Sequence, residues 1–323
     1  MNGGPHLRRQ GLRAVPSLEY LERQPPFSIG ADSDEATAQT GSHLVPQGGL
    51  FWDGRADTLQ DQARSPLLSP FEMDGGSVAR VASLLRRNYA ANFTQLFGTP
   101  VLQHPRLLAQ EALFAIGRYQ IEDSSFHPYS SKYDAWLEGK ARLSPAELRG
   151  YRIFDDPKRG NCAACHLDRP TADGLPPLFT DHQYEALGVP RNRALIANQN
   201  ARYHDLGLCG PMRDDLRAQT QYCGMFATPT LRNVATRHVF FHNGRYRSLR
   251  AVLDFYNLRA VEPEKIYPGG SPDDLPPAYR RNIDRTAPKS RLSARDEDDL
   301  IAFLKTLTDG YAPAARRAAS NLW

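Results

Sequence analysis

The 323 residues are 41% hydrophobic, and 40 basic side chains stand against 36 acidic ones for a net charge of +4. That leaves enough apolar mass for a buried core and length for two domains, and the 24 Gly and 25 Pro point to long ordered loops without reaching a disordered composition. No basic tract marks a nucleic-acid surface, no apolar run is long enough to span a bilayer, and residues 1–20, with three arginines and no continuous apolar core, are not a signal peptide.

The first strong helical period covers residues 76–97, where Val78, Val81, Leu84, Leu85, Tyr89, Phe93, Leu96 and Phe97 recur at helical spacing. A second helix is predicted from about Pro105 to Ile121. Ser144-Pro145-Ala146-Glu147 is a capping box with proline at the first helical position, opening a helix through Phe154. Another helix starts after Ser248 and ends near Tyr256. The last is capped by Ser293, carries Asp296, Glu297, Asp298 and Asp299 near its positive end and runs to Leu307. Strand-like alternation is scarce and no repeat of fixed period occurs. The fold class this implies is mostly α.

Between the third and fourth of these helices lies Cys162-Ala163-Ala164-Cys165-His166. C-x-x-C-H is the attachment sequence of covalent c-type haem: two thiols add to the porphyrin vinyl groups and the adjacent histidine binds iron from one face. A bare CxxC also serves as a redox pair or half a zinc site; the following His, with no second CxxC, favours haem. Helix, CxxCH, long loops and a terminal helix is the order in which a cytochrome c domain wraps its haem. This places such a domain at 140–312, a less complete helical domain at 1–139 and a tail at 313–323. Haem c is attached outside the bacterial cytoplasm, so the expected location is the periplasm, with an export signal removed or a start upstream of Met1. The other two cysteines, Cys209 and Cys223, flank a 13-residue stretch, Gly210 to Tyr222. In an oxidising compartment they can close a loop, worth roughly 3 kcal/mol in the chain-entropy account; two buried free thiols are the other reading.

Further blocks extend the pattern. Leu50-Phe51-Trp52-Asp53-Gly54-Arg55-Ala56 precedes Thr58-Leu59-Gln60-Asp61-Gln62-Ala63, Pro66 and Pro70-Phe71-Glu72-Met73. Downstream come Thr228-Pro229-Thr230-Leu231-Arg232-Asn233-Val234 and Phe240-Phe241-His242-Asn243-Gly244. With the CxxCH, and in this order, they resemble the bacterial di-haem cytochrome c peroxidase and MauG family from about residue 11 to 308. The resemblance implies two cytochrome c-like helical domains, each with a haem c. One is a peroxide-reacting haem in the N-terminal domain and the other an electron-transfer haem in the C-terminal domain, which the CxxCH matches. The first has no attachment sequence here, so its segment is expected upstream of residue 1, leaving the first domain incomplete.

The resemblance assigns Glu72 as the distal carboxylate that moves protons during O–O cleavage, Gln62 and Pro66 as neighbouring pocket residues, and Trp52 as the indole between the haems. It also places Tyr256, 90 residues after His166, where the peroxidases carry a Met ligand and MauG-like proteins a tyrosine. A phenolate favours ferric and higher iron and lowers the potential, whereas thioether ligation raises it. Met225 and Met212 are the alternative ligands. His242 is read as a hydrogen-bonding residue, and His6, His43, His104, His127, His182, His204 and His238 as surface or structural. Two positions depart from the family pattern. The Asn that helps hold an inter-haem calcium is Ala14, which leaves backbone carbonyls as the ligands a calcium would use, and a tryptophan that MauG places shortly before its second CxxCH is Gly160. The segment around Cys209 resembles MbnH-like relatives, which oxidise a tryptophan on a partner protein. The implied activity is peroxide-driven oxidation of a protein substrate or small redox protein through a haem–Trp–haem unit. A single-haem electron-transfer or haem-sensing cytochrome is the alternative.

Overall fold

The computed structural model describes residues 2–31, 44–284 and 291–312. The chain is mostly helical, and its close contacts form two compact units, each assembled from separate stretches. Of the described residues, one unit comprises 2–31, 44–127, 181–229 and 239–284; the other comprises 128–180, 230–238 and 291–312. The sequence suggested a boundary near 139, but residues 128–139 group with the CxxCH segment. The physical reason is Asp134, whose carboxylate binds Arg232, 98 residues away. The suggested tail 313–323 lies outside the described residues, as does His43.

The first unit contains α1 (Leu59–Leu68), α2 (Val78–Phe97) and α3 (Pro105–Glu122). The hydroxyls of Thr58 and Ser77 cap α1 and α2 by accepting the Asp61 and Arg80 amides, and Pro105 starts α3 at a position that needs no N–H donor. Ala82, Phe93, Val101 and Leu108 form the core that joins α2 to α3. Helix α1 was not evident in the sequence because Pro66 lies inside it. Proline removes one N–H, so the Gln62 carbonyl, one turn earlier, loses its donor. Among the described residues, three two-stranded antiparallel ribbons also belong to this unit. They are β1 (Asn2–Gly3) with β2 (Arg9–Gln10), β3 (Ser28–Ala31) with β4 (Leu44–Gln47), and β5 (Tyr184–Glu185) with β6 (Phe226–Ala227).

The second unit contains α4 (Lys132–Leu137) and α5 (Pro145–Asp155). The first unit also holds α6 (Leu249–Leu258) and α7 (Pro263–Ile266), and the second closes with α8 (Ala294–Lys305). Reciprocal capping boxes start α4 at Ser131/Asp134, α5 at Ser144/Glu147 and α8 at Ser293/Asp296. Tyr133, Phe154, Phe179 and Phe303, none more than 1% exposed, form an aromatic core with ring centroids 5.1–6.4 Å apart. Helices α5 and α8 cross at Gly150, where an added Cβ would sit 1.9 Å from the Asp299 carbonyl oxygen and 2.9 Å from Phe303 Cβ. Beside that crossing Arg149 donates two parallel bonds to Asp299, at 2.7 and 2.8 Å. Gly150→Ala is therefore expected to destabilise this unit by about 1–3 kcal/mol through overpacking. A denaturant midpoint equal to that of the native protein would exclude the close crossing.

Candidate haem-binding site and its surroundings

Cys162–Ala164 form one 3-10 turn after Asn161, which adopts the left-handed conformation at φ 49°. The His166 amide donates to the Cys162 carbonyl at 2.8 Å, so the pentapeptide is coiled tightly enough to present both cysteines and the imidazole from one short segment. Neither Cys162 nor Cys165 is joined in a disulfide, and both are half-buried. His166 Nδ1 lies 2.9 Å from the Phe179 carbonyl oxygen. A carbonyl only accepts, so Nδ1 carries the proton and the lone pair sits on Nε2. A metal-binding histidine is commonly fixed in this way. Two thiols and an Nε2 lone pair fit a covalently attached haem c.

The Phe179 carbonyl is itself held in place. Thr230 Oγ1 donates to the Leu178 carbonyl at 2.6 Å, and Arg232 Nε donates to the Pro177 carbonyl at 2.8 Å. The rest of the Arg232 guanidinium forms a bidentate pair with Asp134 at 2.8 and 3.0 Å, the two side chains being 1% and 5% exposed. Burial alone would raise the Asp134 pKa; the hydrogen bonds and charge of Arg232 and the bonds from Ser131 together outweigh it and hold the carboxyl below its usual range. Gly160, two residues before Cys162, has no room for a side chain: a Cβ there would meet the Ile153 carbonyl oxygen at 2.2 Å.

In the first unit Trp52 lies in a strap closed by the Leu50–Ala56 bridge. Its indole Nε1 donates to the Ala14 carbonyl at 2.8 Å, and its own carbonyl accepts from the Ala227 amide at 3.0 Å. Phe51 sits at φ 70°, a strained conformation for a side chain of that size. Asp53, fully buried, accepts from Arg13 and Arg55 at 2.7 Å each. Arg13 also forms a bidentate pair with Asp205 at 2.6 and 2.7 Å. Burial would depress the Arg13 guanidinium, but Asp205 and then Asp53 hold it above its usual value. Arg213 donates to the carbonyls of Asp53 and Gly54 at 3.0 and 3.1 Å. It comes from the loop closed by the Cys209–Cys223 disulfide.

Gln62 and Pro66 lie one turn apart on α1, Gln62 buried and Pro66 half-buried. Glu72 is solvent-exposed in a turn folded back on the helix end, where the amides of Met73 and Gly75 donate to the carbonyls of Pro66 and Leu67 at 3.1 and 2.9 Å. A cleft of about 470 Å³ lies beside this helix, lined by residues including Phe51, Arg55, Asp61, Arg64, Ser65 and Leu68; Gln62, Pro66 and Glu72 do not line it. Tyr256, half-buried on α6, packs with Phe241 and Phe255 at ring distances of 5.9 and 5.4 Å. Met225 packs against the disulfide cluster and Met212 is exposed.

The profile of the di-haem cytochrome c peroxidase family matches residues 10–142. The methylamine utilization protein MauG of Paracoccus denitrificans is 34% identical over 312 residues, which is 93% of this chain and 75% of that protein. The chain belongs to the di-haem cytochrome c peroxidase/MauG family. Cytochrome c551 peroxidase of Nitrosomonas europaea is 29% identical, across 80% of this chain and 61% of its own length. The di-haem peroxidase BthA of Burkholderia thailandensis superposes with a TM-score of 0.84 at 37% identity, across 95% of this chain and 74% of that one. A variant of BthA with a tyrosine replaced by methionine superposes with a TM-score of 0.85. Family membership makes the chain a c-type haem oxidoreductase of the peroxidase/MauG type, with hydrogen peroxide and a redox partner as its implied reactants.

The family's inter-haem calcium does not fit the side chains around Ala14. Its carbonyl accepts the Trp52 indole, and the nearby carboxylates of Asp53 and Asp205 are bound by guanidinium groups. Among the described residues no group of three or more His, Cys, Asp or Glu side chains is arranged to hold a metal ion. The sequence reading missed Arg13, Asp205 and Asp274, which lie far apart in the chain. Only Asp53, inside the Trp-Asp-Gly-Arg block, carried a local signal.

His242 of the family's Phe-His-Asn-Gly block is buried, its ring stacked on Phe226 at 3.5 Å and 5°. Its Nε2 lies 4.0 Å from Asp274 Oδ2, which accepts from Asn243 Nδ2 at 3.2 Å; Arg191 Nε is 3.7 Å from Asp274 Oδ1. Burial pushes His242 down to about 3 and Asp274 up to about 6. Between pH 3.8 and about 6 the folded protein keeps a proton on Asp274 that the unfolded chain has released, so this contribution to stability fades as pH rises through about 6. His242 acts in the opposite sense: its contribution is present above pH 6.5 and lost as pH falls towards about 3. In Asp274→Asn only the His242 slope remains, so stability should climb more steeply with pH across the shared window. Denaturant midpoints at three pH values inside it test this, and parallel profiles for variant and native protein would refute the linkage.

Proposed function

We propose that the chain uses hydrogen peroxide to withdraw electrons from a partner protein side chain or a small redox protein. In this reading Cys162 and Cys165 hold haem c, His166 is its proximal ligand and Tyr256 its distal one. The observation that carries it is the His166 Nδ1 bond to the Phe179 carbonyl, which sets the Nε2 lone pair of a CxxCH histidine. Haem c, when bound, supplies the redox centre that peroxide oxidises. A second haem belongs to the proposal through the family. The exposed apolar side chains Leu96, Phe114 and Tyr119 on α2 and α3, at 71%, 46% and 57%, offer a surface of the kind a porphyrin covers.

The protein's own groups have separate tasks. Glu72 accepts a proton from one peroxide oxygen and returns it to the other, which requires hydrogen-bond reach to both. Gln62 supplies an amide for orientation, and Pro66 presents a face without a backbone donor. Trp52 relays an electron while its N–H stays on the Ala14 carbonyl, an amide oxygen too weakly basic to take the proton. Tyr256 is preferred to Met225 and Met212 because the first of these packs into the disulfide cluster and the second is exposed. The compartment in this reading is the periplasm, where haem attachment and the Cys209–Cys223 disulfide are both at home. No described helix is long and apolar enough to cross a membrane.

Electron transfer through a single haem is the second reading, favoured by the exposure of Glu72. Glu72→Gln separates the two: peroxide turnover should fall by roughly 10²–10⁴-fold with haem content unchanged. An unaltered stopped-flow rate would remove Glu72 from the mechanism. Tyr256→Met should raise the midpoint potential of the attached haem by on the order of 100 mV. It should also introduce the weak near-infrared band of Met-ligated ferric haem. Spectroelectrochemistry checks both, and finding that band in the native protein would reject Tyr256 as the ligand.

A further inference from the structure

Gly160 closes one route by which oxidising equivalents could leave the CxxCH unit, because no side chain fits there without displacing the Ile153 carbonyl. The same unit holds another set of oxidisable rings. Tyr133, 1% exposed, donates its hydroxyl to the carbonyl of Asp168, two residues after His166, at 2.8 Å. Its ring also lies edge-on to Phe179, at 5.2 Å, and the Phe179 carbonyl holds His166 Nδ1. Two short paths therefore join the proximal histidine to Tyr133, one along the chain and one through the imidazole hydrogen bond. Beyond Tyr133 the rings of Trp136 and Tyr151 lie 5.4 and 6.0 Å away, and 5.4 Å from each other. Both are half-buried, so the set runs from the core to the surface.

We infer that Trp136 is the exit residue for oxidising equivalents in this unit, reached from His166 through Tyr133 and passing them to an electron-rich side chain of the partner. This rests on the peroxide-driven reading above. The chemistry suits each ring. Burial keeps Tyr133 protonated and its hydroxyl is held on the Asp168 carbonyl, so the ring serves as a bridge between His166 and the outer rings. An indole can lose an electron before it loses a proton, so the charge rests on Trp136. In each passage Trp136 gives one electron to the peroxide-oxidised haem and regains one from the partner. Two passages supply the two electrons that, with two protons, reduce one peroxide to two waters.

The test uses the haem-loaded protein. Peroxide added without a donor, followed by peptide mass mapping across the three tryptophans, should find an added oxygen on Trp136. With reduced cytochrome c as donor, Trp136→Phe should still show the haem spectral response to peroxide but oxidise the donor roughly tenfold more slowly or worse. Trp136→Tyr should recover part of that loss. Phe and Tyr fill nearly the same space, so a packing role would not separate them. The inference is overturned if Trp136 stays unmodified while the haem responds, or if the Phe variant oxidises the donor at the native rate. A haem that does not respond to peroxide overturns the underlying function as well, and the spectrum shows which has failed.

Discussion

The buried pair between Arg232 and Asp134 is the constraint on which the CxxCH segment depends. Its geometry is a fork on a fork, with the third guanidinium nitrogen spent on the Pro177 carbonyl. A lysine has no such fork and cannot hold a carboxylate and a carbonyl in one plane. The pair stabilises little by itself, since desolvation of two charges consumes most of their attraction, but removal of either partner strands the other. It fixes the loop at residues 177–179, and that loop fixes the tautomer of His166. The Thr-Pro-Thr-Leu-Arg-Asn block thus acts on His166 at one remove, through backbone carbonyls.

The first unit manages buried charge in a parallel way. Arg13 links Asp53 to Asp205, and Arg55 takes the second oxygen of Asp53, so two carboxylates are matched by two guanidinium groups. The indole of Trp52 lies in this neutral knot, bonded to the residue after Arg13. The disulfide-closed loop adds Arg213, which grips the strap by its carbonyls and lies over the Phe27 ring at 3.7 Å. The Trp52 indole is thereby held by groups that carry charge but offer its N–H no strong base.

Local signals in the sequence revealed local structure. Helices α2, α3, α5, α6 and α8 were legible from periodicity and from Ser144, Ser248 and Ser293, because a cap and its partner lie within one turn. Helix α1 was hidden by Pro66, and α4, at 6 residues, is too short to show a period. The haem turn was legible from five residues. The group that orients His166 was not, because a backbone carbonyl leaves no signature in residue type. The charge pairs were hidden by distance: Arg13 and Asp205 are 192 positions apart, and nothing near either one names the other. The division into units was obscured for the same reason, since each unit is stitched from stretches that the chain visits more than once.

Gly160 bears on how members of such a family can diverge. The carbonyl that blocks its Cβ belongs to Ile153, in the last turn of α5, and also accepts the Gly160 amide. A bulky residue at this position therefore demands a different ending to the helix, and no single codon change delivers both. Two descendants of one ancestor that differ here must also differ in how α5 ends. Exchange of partner proteins between them would have to proceed by remodelling the segment from α5 to the haem turn as one piece.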